Sequence, residues 1–178
     1  MKIMITSTSD KQAVAGFTLI ELVIVITIIG ILSAVALPRF TAMQRDARVA
    51  KAQSLYGAVR SASTMAHARC LLDLSQSGGG CTTSAGSANM EGAAIAMVNQ
   101  YPAMNTSSGA CTAGTRAFTG IVQAAQITDC SDGVVLSSAA DPTTIQISGA
   151  TTAANCQISY TQAAAGGSPA ILVDTSGC

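Results

Sequence analysis

The feature that most constrains this chain is an uninterrupted apolar run near its start. From Phe17 to Leu37 the sequence reads FTLIELVIVITIIGILSAVAL, with Glu21 as its single ionisable group. As a helix this run would be roughly 30 Å long, which is the thickness of the hydrocarbon core of a bilayer. Because the run is apolar on every side, it has to be covered all round by lipid or by protein.

Two ordinary kinds of N-terminal segment account for part of this pattern. A secretory signal peptide has a charged head, and residues 1–16 carry Lys2 and Lys11. Its apolar stretch is shorter, however, and ends at a small-residue cleavage site, whereas here a helical pattern continues past Pro38. A plain membrane anchor leaves Glu21 unexplained, because a carboxylate in hydrocarbon costs on the order of 2.5 to 3.5 kcal/mol and implies a partner.

The residues that introduce the apolar run resemble a known processing signal. The segment from Gly16 to Glu21, GFTLIE, followed by the run, is similar to the cleavage and methylation motif of type IV prepilins and pseudopilins. The resemblance implies that a prepilin peptidase removes residues 1–16 as a leader and methylates the new amino group of Phe17. It also implies that Glu21 pairs with the free amine of a neighbouring subunit during assembly, which supplies the partner that the membrane argument requires.

Gly30 and Pro38 are two weak points in the apolar helix. Proline lacks the amide hydrogen that an interior helical residue donates, its ring clashes with the preceding turn, and glycine is a poor helix former. The resemblance to pilins implies that the helix breaks between these two residues when subunits pack in a filament. A simple kink at Pro38 is the alternative that the residues themselves leave open.

Beyond Pro38 the pattern becomes that of an amphipathic helix. Apolar residues recur at spacings of three and four up to about Arg69, and basic residues interrupt them. The apolar positions are Val49, Ala52, Leu55, Tyr56, Val59, Ala62 and Ala66. We therefore expect one long helix over about residues 17–69. Residues 17–37 would form its transmembrane or filament-core half, and residues 38–69 would pack on one side against a globular head.

The head, residues 70–178, has a different composition. Gly, Ser, Thr and Ala dominate it, and short apolar or alternating runs lie between turn-forming clusters. Strands are predicted over residues 94–98, 134–137, 144–148, 157–161 and 170–173, and a short helix over residues 117–127. An antiparallel sheet that covers the apolar side of the long helix gives an α+β fold. The resemblance identifies this fold as that of type IV pilins, with a disulfide-bounded C-terminal region.

All six cysteines lie in this head, where an exported domain with few large apolar side chains needs disulfides. A metal site is disfavoured because no Cys-x-x-Cys pair exists and the one histidine, His67, is isolated; we expect His67 to be a surface or packing residue. Fifteen pairings exist in principle, and we expect sequential pairing. Sequential pairing joins Cys70 to Cys81, Cys111 to Cys130 and Cys156 to Cys178. By the resemblance, a pair that brackets the C-terminal strands is a recurring feature of pilins.

Composition and motifs exclude several functional classes. Nine Lys and Arg residues balance nine Asp and Glu residues, and only 10% of the chain is charged, so nucleic acid is not an expected partner. The chain has no G-x-S-x-G, P-loop or His-Glu-x-x-His motif and no second histidine to serve as a base. We therefore expect a protein that is not an enzyme and that uses no cofactor and no metal.

The resemblance implies a structural subunit of a type IV pilus, used for cell adhesion, biofilm formation or twitching motility. Such a subunit stays in the lipid bilayer of the bacterial inner membrane, with its head in the periplasm. The inner-membrane pilus assembly machinery then adds it to copies of itself in an extracellular filament. Residues 90–104 and 156–178 are similar to pilins of the mannose-sensitive haemagglutinin type. A minor pilin or type II secretion pseudopilin is one alternative, and a membrane-anchored surface or DNA-uptake binding protein is a second.

Overall fold

The structure is a computed structural model that describes residues 16–76, 79–106, 118–127, 133–136 and 141–178. The chain divides into two compact units, Met1–Thr41 and Ala42–Cys178. The first unit contains the apolar part of helix α1. The second contains the remainder of this helix together with all of the described strands.

Helix α1 spans Leu19–Leu74 and so continues beyond its predicted end at Arg69. A salt bridge of 3.1 Å between the guanidinium group of Arg69 and the carboxylate of Asp73, four residues apart, stabilises the added turn. Leu71 and Leu72 are exposed on this turn, so its apolar residues do not continue the buried side of the helix. The pattern therefore ends before the helix does.

Within the second unit, α1 buries one side that consists largely of small residues. The buried helix residues are Ala52, Val59, Ala62, Ser63, Ala66, Cys70 and Asp73. Val49, Leu55 and Tyr56 are partly buried and pack beside them. These buried positions recur at the spacings of three and four that the sequence shows after Pro38. The short side chains at these positions let the strands lie close to the helix backbone.

The first sheet is antiparallel and has three strands in the order β1-β2-β3. The strands are β1 (Ala85–Met90), β2 (Ala93–Val98) and β3 (Tyr101–Pro102). Two-residue turns join them, and the turn residues Glu91, Gly92, Asn99 and Gln100 all have positive φ. This is the conformation of tight hairpin turns whose twist matches that of the strands. Only β2 is among the predicted strands, because the sequence of β1, AGSANM, has little strand propensity.

The second sheet is also antiparallel and has four strands in the order β4-β5-β6-β7. The strands are β4 (Val134–Leu136), β5 (Thr143–Ile147), β6 (Gln157–Thr161) and β7 (Ala170–Asp174). Each lies within one residue of a predicted strand. A short helix α2, Gly120–Ala124, replaces the longer helix predicted over residues 117–127. A 3₁₀ turn, Ala153–Asn155, precedes β6.

Each sheet has its own hydrophobic core on α1. The first core joins helix residues Ala66 and Cys70 to the inner side of the first sheet, where Ala88, Ile95 and Met97 are buried. The second core joins Ala52 and Val59 to α2 and the second sheet. Its other members include Ile121, Val122, Val134, Leu136, Ile145, Ile147, Ile158 and Tyr160. Apolar positions alternate along the strands, as expected for sheets with one buried face.

Two sheets, rather than the single sheet that the sequence predicts, therefore cover the helix. The first sheet ends at β3, where Pro102 has no amide hydrogen to extend the ladder. The sheets are instead connected by hydrogen bonds of side chains. The hydroxyl group of Tyr160 donates to the carbonyl oxygen of Pro102 at 2.6 Å, and Thr143 Oγ1 accepts from the backbone N–H of Asn105 at 2.9 Å.

Candidate processing and assembly site

The predicted cleavage position lies just before the start of helix α1. Gly16, Phe17 and Thr18 are not helical, and the helix begins at Leu19. The Phe17 side chain is 79% exposed, and a methyl group added to Gly16 would meet no atom within 4 Å. The peptide bond between Gly16 and Phe17 is therefore in an open, non-helical segment, which is the kind of segment that proteases cut most readily.

Thr18 and Glu21 form a reciprocal cap at the start of α1. Glu21 Oε2 accepts hydrogen bonds from the backbone N–H of Thr18 at 3.3 Å and from its hydroxyl group at 3.0 Å. In return, Thr18 Oγ1 accepts a bond of 3.4 Å from the backbone N–H of Glu21. This arrangement is a capping box, which satisfies amide donors that the first helical turn leaves unpaired. Its Thr-x-x-Glu spacing is visible in the sequence.

The Glu21 carboxylate keeps the capacity to bind a further cationic partner. Both bonds from Thr18 end on the same oxygen, and a carboxylate offers about four acceptor positions. Cleavage after Gly16 would leave the amide of Thr18 intact, so the capping box can persist beside the new amino group of Phe17. The intermolecular ion pair that the resemblance implies for Glu21 stays a prediction.

The apolar half of α1 is bare within its own unit. The helix is long and apolar enough to cross a membrane, and its most apolar stretch has no buried residue. The hydroxyl group of Thr27 donates to the carbonyl oxygen of Ile24 at 2.8 Å, so this polar group is satisfied inside the helix. A continuous apolar surface of this kind is covered by lipid or by other protein chains in any stable state.

Gly30 and Pro38 are both helical in this structure, and α1 continues through them. The hydroxyl group of Thr41 donates to the carbonyl oxygen of Pro38 at 2.9 Å. Space is open beside Gly30, where an added methyl group would contact nothing within 4 Å. The resemblance to pilins implies that the helix breaks between these residues in a packed filament. This break stays a prediction.

Two of the three disulfides in the sequential scheme are present, Cys70–Cys81 and Cys156–Cys178. Each adjoins a different core, the first beside the first sheet and the second beside the second sheet. The third expected bond, between Cys111 and Cys130, lies outside the described residues. In addition, Arg48 Nε donates to the carbonyl oxygen of Cys178 at 2.7 Å and ties the second disulfide to α1.

His67 connects α1 to the turn between β2 and β3, a role that the sequence did not reveal. Its Nδ1 lies 2.9 Å from the carbonyl oxygen of Gln100, so this nitrogen must carry the hydrogen. Its ring stacks on that of Tyr101 with a centroid distance of 4.1 Å. The neighbouring Asn99 donates from Nδ2 to the carbonyl oxygen of Ala163 at 2.8 Å. His67 is thus a packing residue, and it holds a turn whose residues have positive φ.

No group of three or more His, Cys, Asp or Glu side chains suited to a metal occurs within the part of the chain that the structure describes. What the site combines is an open cleavage position, a capped carboxylate and an apolar helix. A protease can reach an open segment, and an apolar helix of this length can cross a membrane.

Comparison with known proteins also finds a match at the N-terminus. Residues 11–37 match the family model of the prokaryotic N-terminal methylation motif. The chain is 55% identical over 51 residues to the type IV narrow pilus major component PilA5 of Thermus thermophilus, covering 29% of this chain and 44% of the relative. It is 43% identical over 63 residues to the type IV major fimbrial protein FimA of Dichelobacter nodosus, covering 35% of this chain and 38% of the relative.

A third relative, the fimbrial protein EcpC of Eikenella corrodens, is 48% identical over 52 residues, which is 29% of this chain and 34% of the relative. The chain thus spans less than half the length of these relatives. No solved structure matches it.

Proposed function

We propose that this chain is a member of the type IV pilin family and a structural subunit of a pilus filament, as its N-terminal methylation motif and its similarity to pilins support. The observation that carries the proposal is the bare apolar helix that begins at the capped Glu21, directly after an open cleavage position. The filament would serve cell adhesion, biofilm formation or twitching motility. The protein acts by assembly and not by catalysis.

Before assembly, the apolar half of α1 lies in the inner membrane and the head lies in the periplasm. A prepilin peptidase cuts between Gly16 and Phe17 and methylates the new amine. The membrane can hold the uncut chain because a helix that satisfies its own backbone groups is stable in lipid. The head folds around its own two cores and two described disulfides, so it needs no partner to become compact.

During assembly this helix leaves the lipid and packs against the helices of other subunits. Lipid tails are as apolar as leucine, so the transfer itself gives little hydrophobic stabilisation, and polar pairing and close packing have to supply more. Glu21 and a neighbouring Phe17 amine are suited to this role. Each is a charge that hydrocarbon disfavours, and pairing lowers the cost of both.

The first experiment is to measure the intact mass of the protein from sheared surface filaments, with and without reduction. We expect a chain that starts at Phe17 and carries one additional methyl group, with hydrogens gained on reduction. An abundant subunit in the sheared fraction fits the main filament component. A scarce one would indicate a minor pilin or pseudopilin, and an uncut chain found only in membranes would contradict filament assembly.

A second experiment separates the two roles of Glu21. Thr18→Ala removes the cap but keeps the carboxylate, Glu21→Gln keeps a capping oxygen but removes the charge, and Glu21→Ala removes both. If Glu21 pairs with an amine, Thr18→Ala forms filaments while both Glu21 variants insert in the membrane and fail to assemble. If the residue acts only as a cap, Glu21→Gln assembles as well as Thr18→Ala does.

A further inference from the structure

The second unit contains a groove between helix α1, the hairpin of β1 and β2, and the end of helix α2. Its volume is about 320 Å³. The residues of α1 that line it recur at spacings of three and four, so they share one side of the helix; they are Ala58, Ser61, Ala62 and Met65. Three of these side chains are short, which leaves the groove open. Small-molecule sites in proteins have volumes of roughly 300 to 1,000 Å³, so this groove is large enough for a small ligand.

Most of the lining of this groove is apolar. Ala62 and Ile95 line it and are themselves buried. Met65 of α1 and Met90 of β1 also line it, and Met65 is 57% exposed. Thioether side chains are flexible and polarisable, and their sulfur atoms make favourable contacts with aromatic rings. The lining therefore suits a ligand with an aromatic body.

Glu91 lines the groove from the turn between β1 and β2 and is exposed. Its φ is 51°, and that of the next residue, Gly92, is 83°. The first position of such a two-residue turn favours Asn or Gly, which tolerate the left-handed conformation. A glutamate has no conformational advantage at this position.

Gln126 has the same unusual conformation directly after α2, with a φ of 52°. The backbone N–H of Gln126 donates to the carbonyl oxygen of Gln123 at 3.1 Å. The N–H of Ile127 donates to the carbonyl oxygen of Val122, also at 3.1 Å. These two bonds form a Schellman motif, in which the left-handed position is usually glycine.

The side chains of these two left-handed residues meet at the groove. Gln126 Nε2 donates a hydrogen bond to Glu91 Oε2, although the residues are 35 positions apart in the sequence. Residues held in strained backbone conformations occur preferentially at ligand sites, where their side chains are needed. Two long polar side chains at positions that favour smaller residues, both lining one groove, therefore indicate a binding site.

Charge restricts the kind of ligand that this groove can take. Among the described residues that line it, Glu91 alone carries a charge. The bond from Gln126 takes one of about four acceptor positions that a carboxylate offers. The carboxylate can therefore accept hydrogen bonds from a cation, and it repels an anion.

We propose that this groove binds a small ligand with an aromatic body and an ammonium group. The aromatic body packs against Met65 and Met90, and the ammonium group donates to the Glu91 carboxylate. Gln126 is a positioning residue, because its amide holds this carboxylate at the groove. The inference goes beyond pilus assembly and does not depend on it, since every described residue of the lining belongs to the second unit.

NMR of methionine methyl groups in the full chain, held in non-ionic detergent micelles, tests the proposal. The probes are phenethylamine, phenethyl alcohol and hydrocinnamate, which share an aromatic body and are cationic, neutral and anionic. We expect the amine to shift the signals of Met65 and Met90 with a Kd of about 1 mM or lower. The alcohol should bind roughly tenfold more weakly, because it lacks a hydrogen bond between charged groups, and the anion should cause no shift.

Met43 is an internal control for these shifts. It is exposed and does not line the groove, so a probe that merely enters the micelle should not shift Met65 and Met90 more than Met43.

Glu91→Gln tests the role of the charge. The substitution keeps the length of the side chain and an acceptor oxygen, so the affinity for the amine should fall to that for the alcohol. The affinity for the alcohol should stay the same. Asp174→Asn removes an exposed carboxylate that does not line the groove, and it should leave both affinities unchanged.

Ala58→Leu tests the position of the site. Ala58 lines the groove and is exposed, so a leucine there should fill the space without disturbing the core and should abolish the shifts. Ala68→Leu is the matched control, at an exposed position of α1 that does not line the groove.

Two outcomes would overturn the proposal. If no probe shifts Met65 or Met90, the groove is not a ligand site and the bond from Gln126 to Glu91 only fastens the hairpin to α2. If the amine and the alcohol bind equally, and equally in Glu91→Gln, the carboxylate does not select a cation. Neither outcome bears on filament assembly, which the mass of the sheared subunit tests separately.

Discussion

The hydroxyl group of Tyr160 donates a hydrogen bond of 2.6 Å to the carbonyl oxygen of Pro102. Tyr160 lies in the second sheet, Pro102 ends the first sheet, and both are buried. Among the described residues the two sheets share no strand pairing, and this bond is one of the side-chain hydrogen bonds that connect them. It adds to the contacts that helices α1 and α2 both make with the two sheets.

Removing this hydroxyl group should destabilise the head. We expect Tyr160→Phe to lower the free energy of unfolding by about 1 to 2 kcal/mol, because the buried carbonyl oxygen of Pro102 loses its donor. Chemical denaturation of the full chain in detergent micelles would measure this loss. Tyr56→Phe, at a partly buried tyrosine on α1, serves as the control. Equal effects of the two substitutions would contradict a special role for the connection.

The same residue should make the head sensitive to high pH. Burial raises the pKa of Tyr160 well above its usual value. Below about pH 9 the phenol is protonated in both the folded and the unfolded chain, so it contributes no pH dependence there. Above about pH 10 the unfolded chain releases this proton while the folded chain retains it, so unfolding is favoured increasingly.

The free energy of unfolding should therefore fall above about pH 10, by up to about 1.4 kcal/mol per pH unit from this group. Denaturation midpoints from pH 7 to pH 11 would show the fall. It should be shallower in Tyr160→Phe and unchanged in Tyr56→Phe. A fall of equal slope in all three proteins would assign it to other groups.

The capping box predicts a local effect at the start of α1. Thr18→Ala should fray the first turn, with a cost of about 1 kcal/mol, because the Glu21 carboxylate and backbone amides lose their partner. Faster hydrogen exchange at residues 19–22 of the chain in micelles would report the fraying. Thr18→Ser keeps a hydroxyl group and should exchange as slowly as the original chain. Fast exchange in both variants would show that the methyl group, and not the cap, is responsible.

Gly30 gives a test of the expected helix break. The side-chain space at this residue is open, so Gly30→Ala should add no clash and should favour the helix by about 1 kcal/mol. If residues 30–38 lose helical structure in filaments, hydrogen exchange there is fast, and Gly30→Ala should slow it. If exchange across this segment is already slow in unsubstituted filaments, the helix remains continuous and the expected break is wrong.

Loss of the C-terminal disulfide should weaken the second core. Cys156 and Cys178 are separated by 22 residues, and opening a loop of this length costs roughly 3 kcal/mol in the chain-entropy description. Replacing both cysteines with serine should lower the free energy of unfolding by about this amount. Peptide mapping without reduction is the companion measurement. It should recover Cys70–Cys81 and Cys156–Cys178, and a crossed pair would contradict the structure.

Secondary structure was most predictable from the sequence where one hydrophobic period extends over many residues. The apolar run and the amphipathic half of α1 were both predictable, because spacings of three and four place Ala52, Val59 and Ala66 on one side. Strands β5 to β7 were predictable from their alternation and β-branched residues. For β1 the segment AGSANM carries neither signal, and only its pairing with β2 makes it a strand.

Contacts between distant residues were not predictable. His67 holds the carbonyl oxygen of Gln100, which is 33 residues away, and no local pattern marks either residue for the other. The division into two sheets depends likewise on where the chain turns after Pro102, which is a property of the folded head. The capping box is a different case, because Thr18 and Glu21 are only three residues apart and their spacing is a local signal in the sequence.

The Cys70–Cys81 bond has a mechanical consequence. Cys70 lies near the end of α1, and Cys81 pairs by an isolated bridge with Gly86 at the edge of the first sheet. Arg48, Ala52 and Val59 contact the second core and its disulfide earlier along α1, and Cys70 adds a covalent contact near the end of the helix. The bond joins the helix to Cys81 directly, so tension between α1 and the first sheet has a covalent path other than residues 71–80. The disulfide therefore shares any load between the helix and the first sheet with the packed core around it.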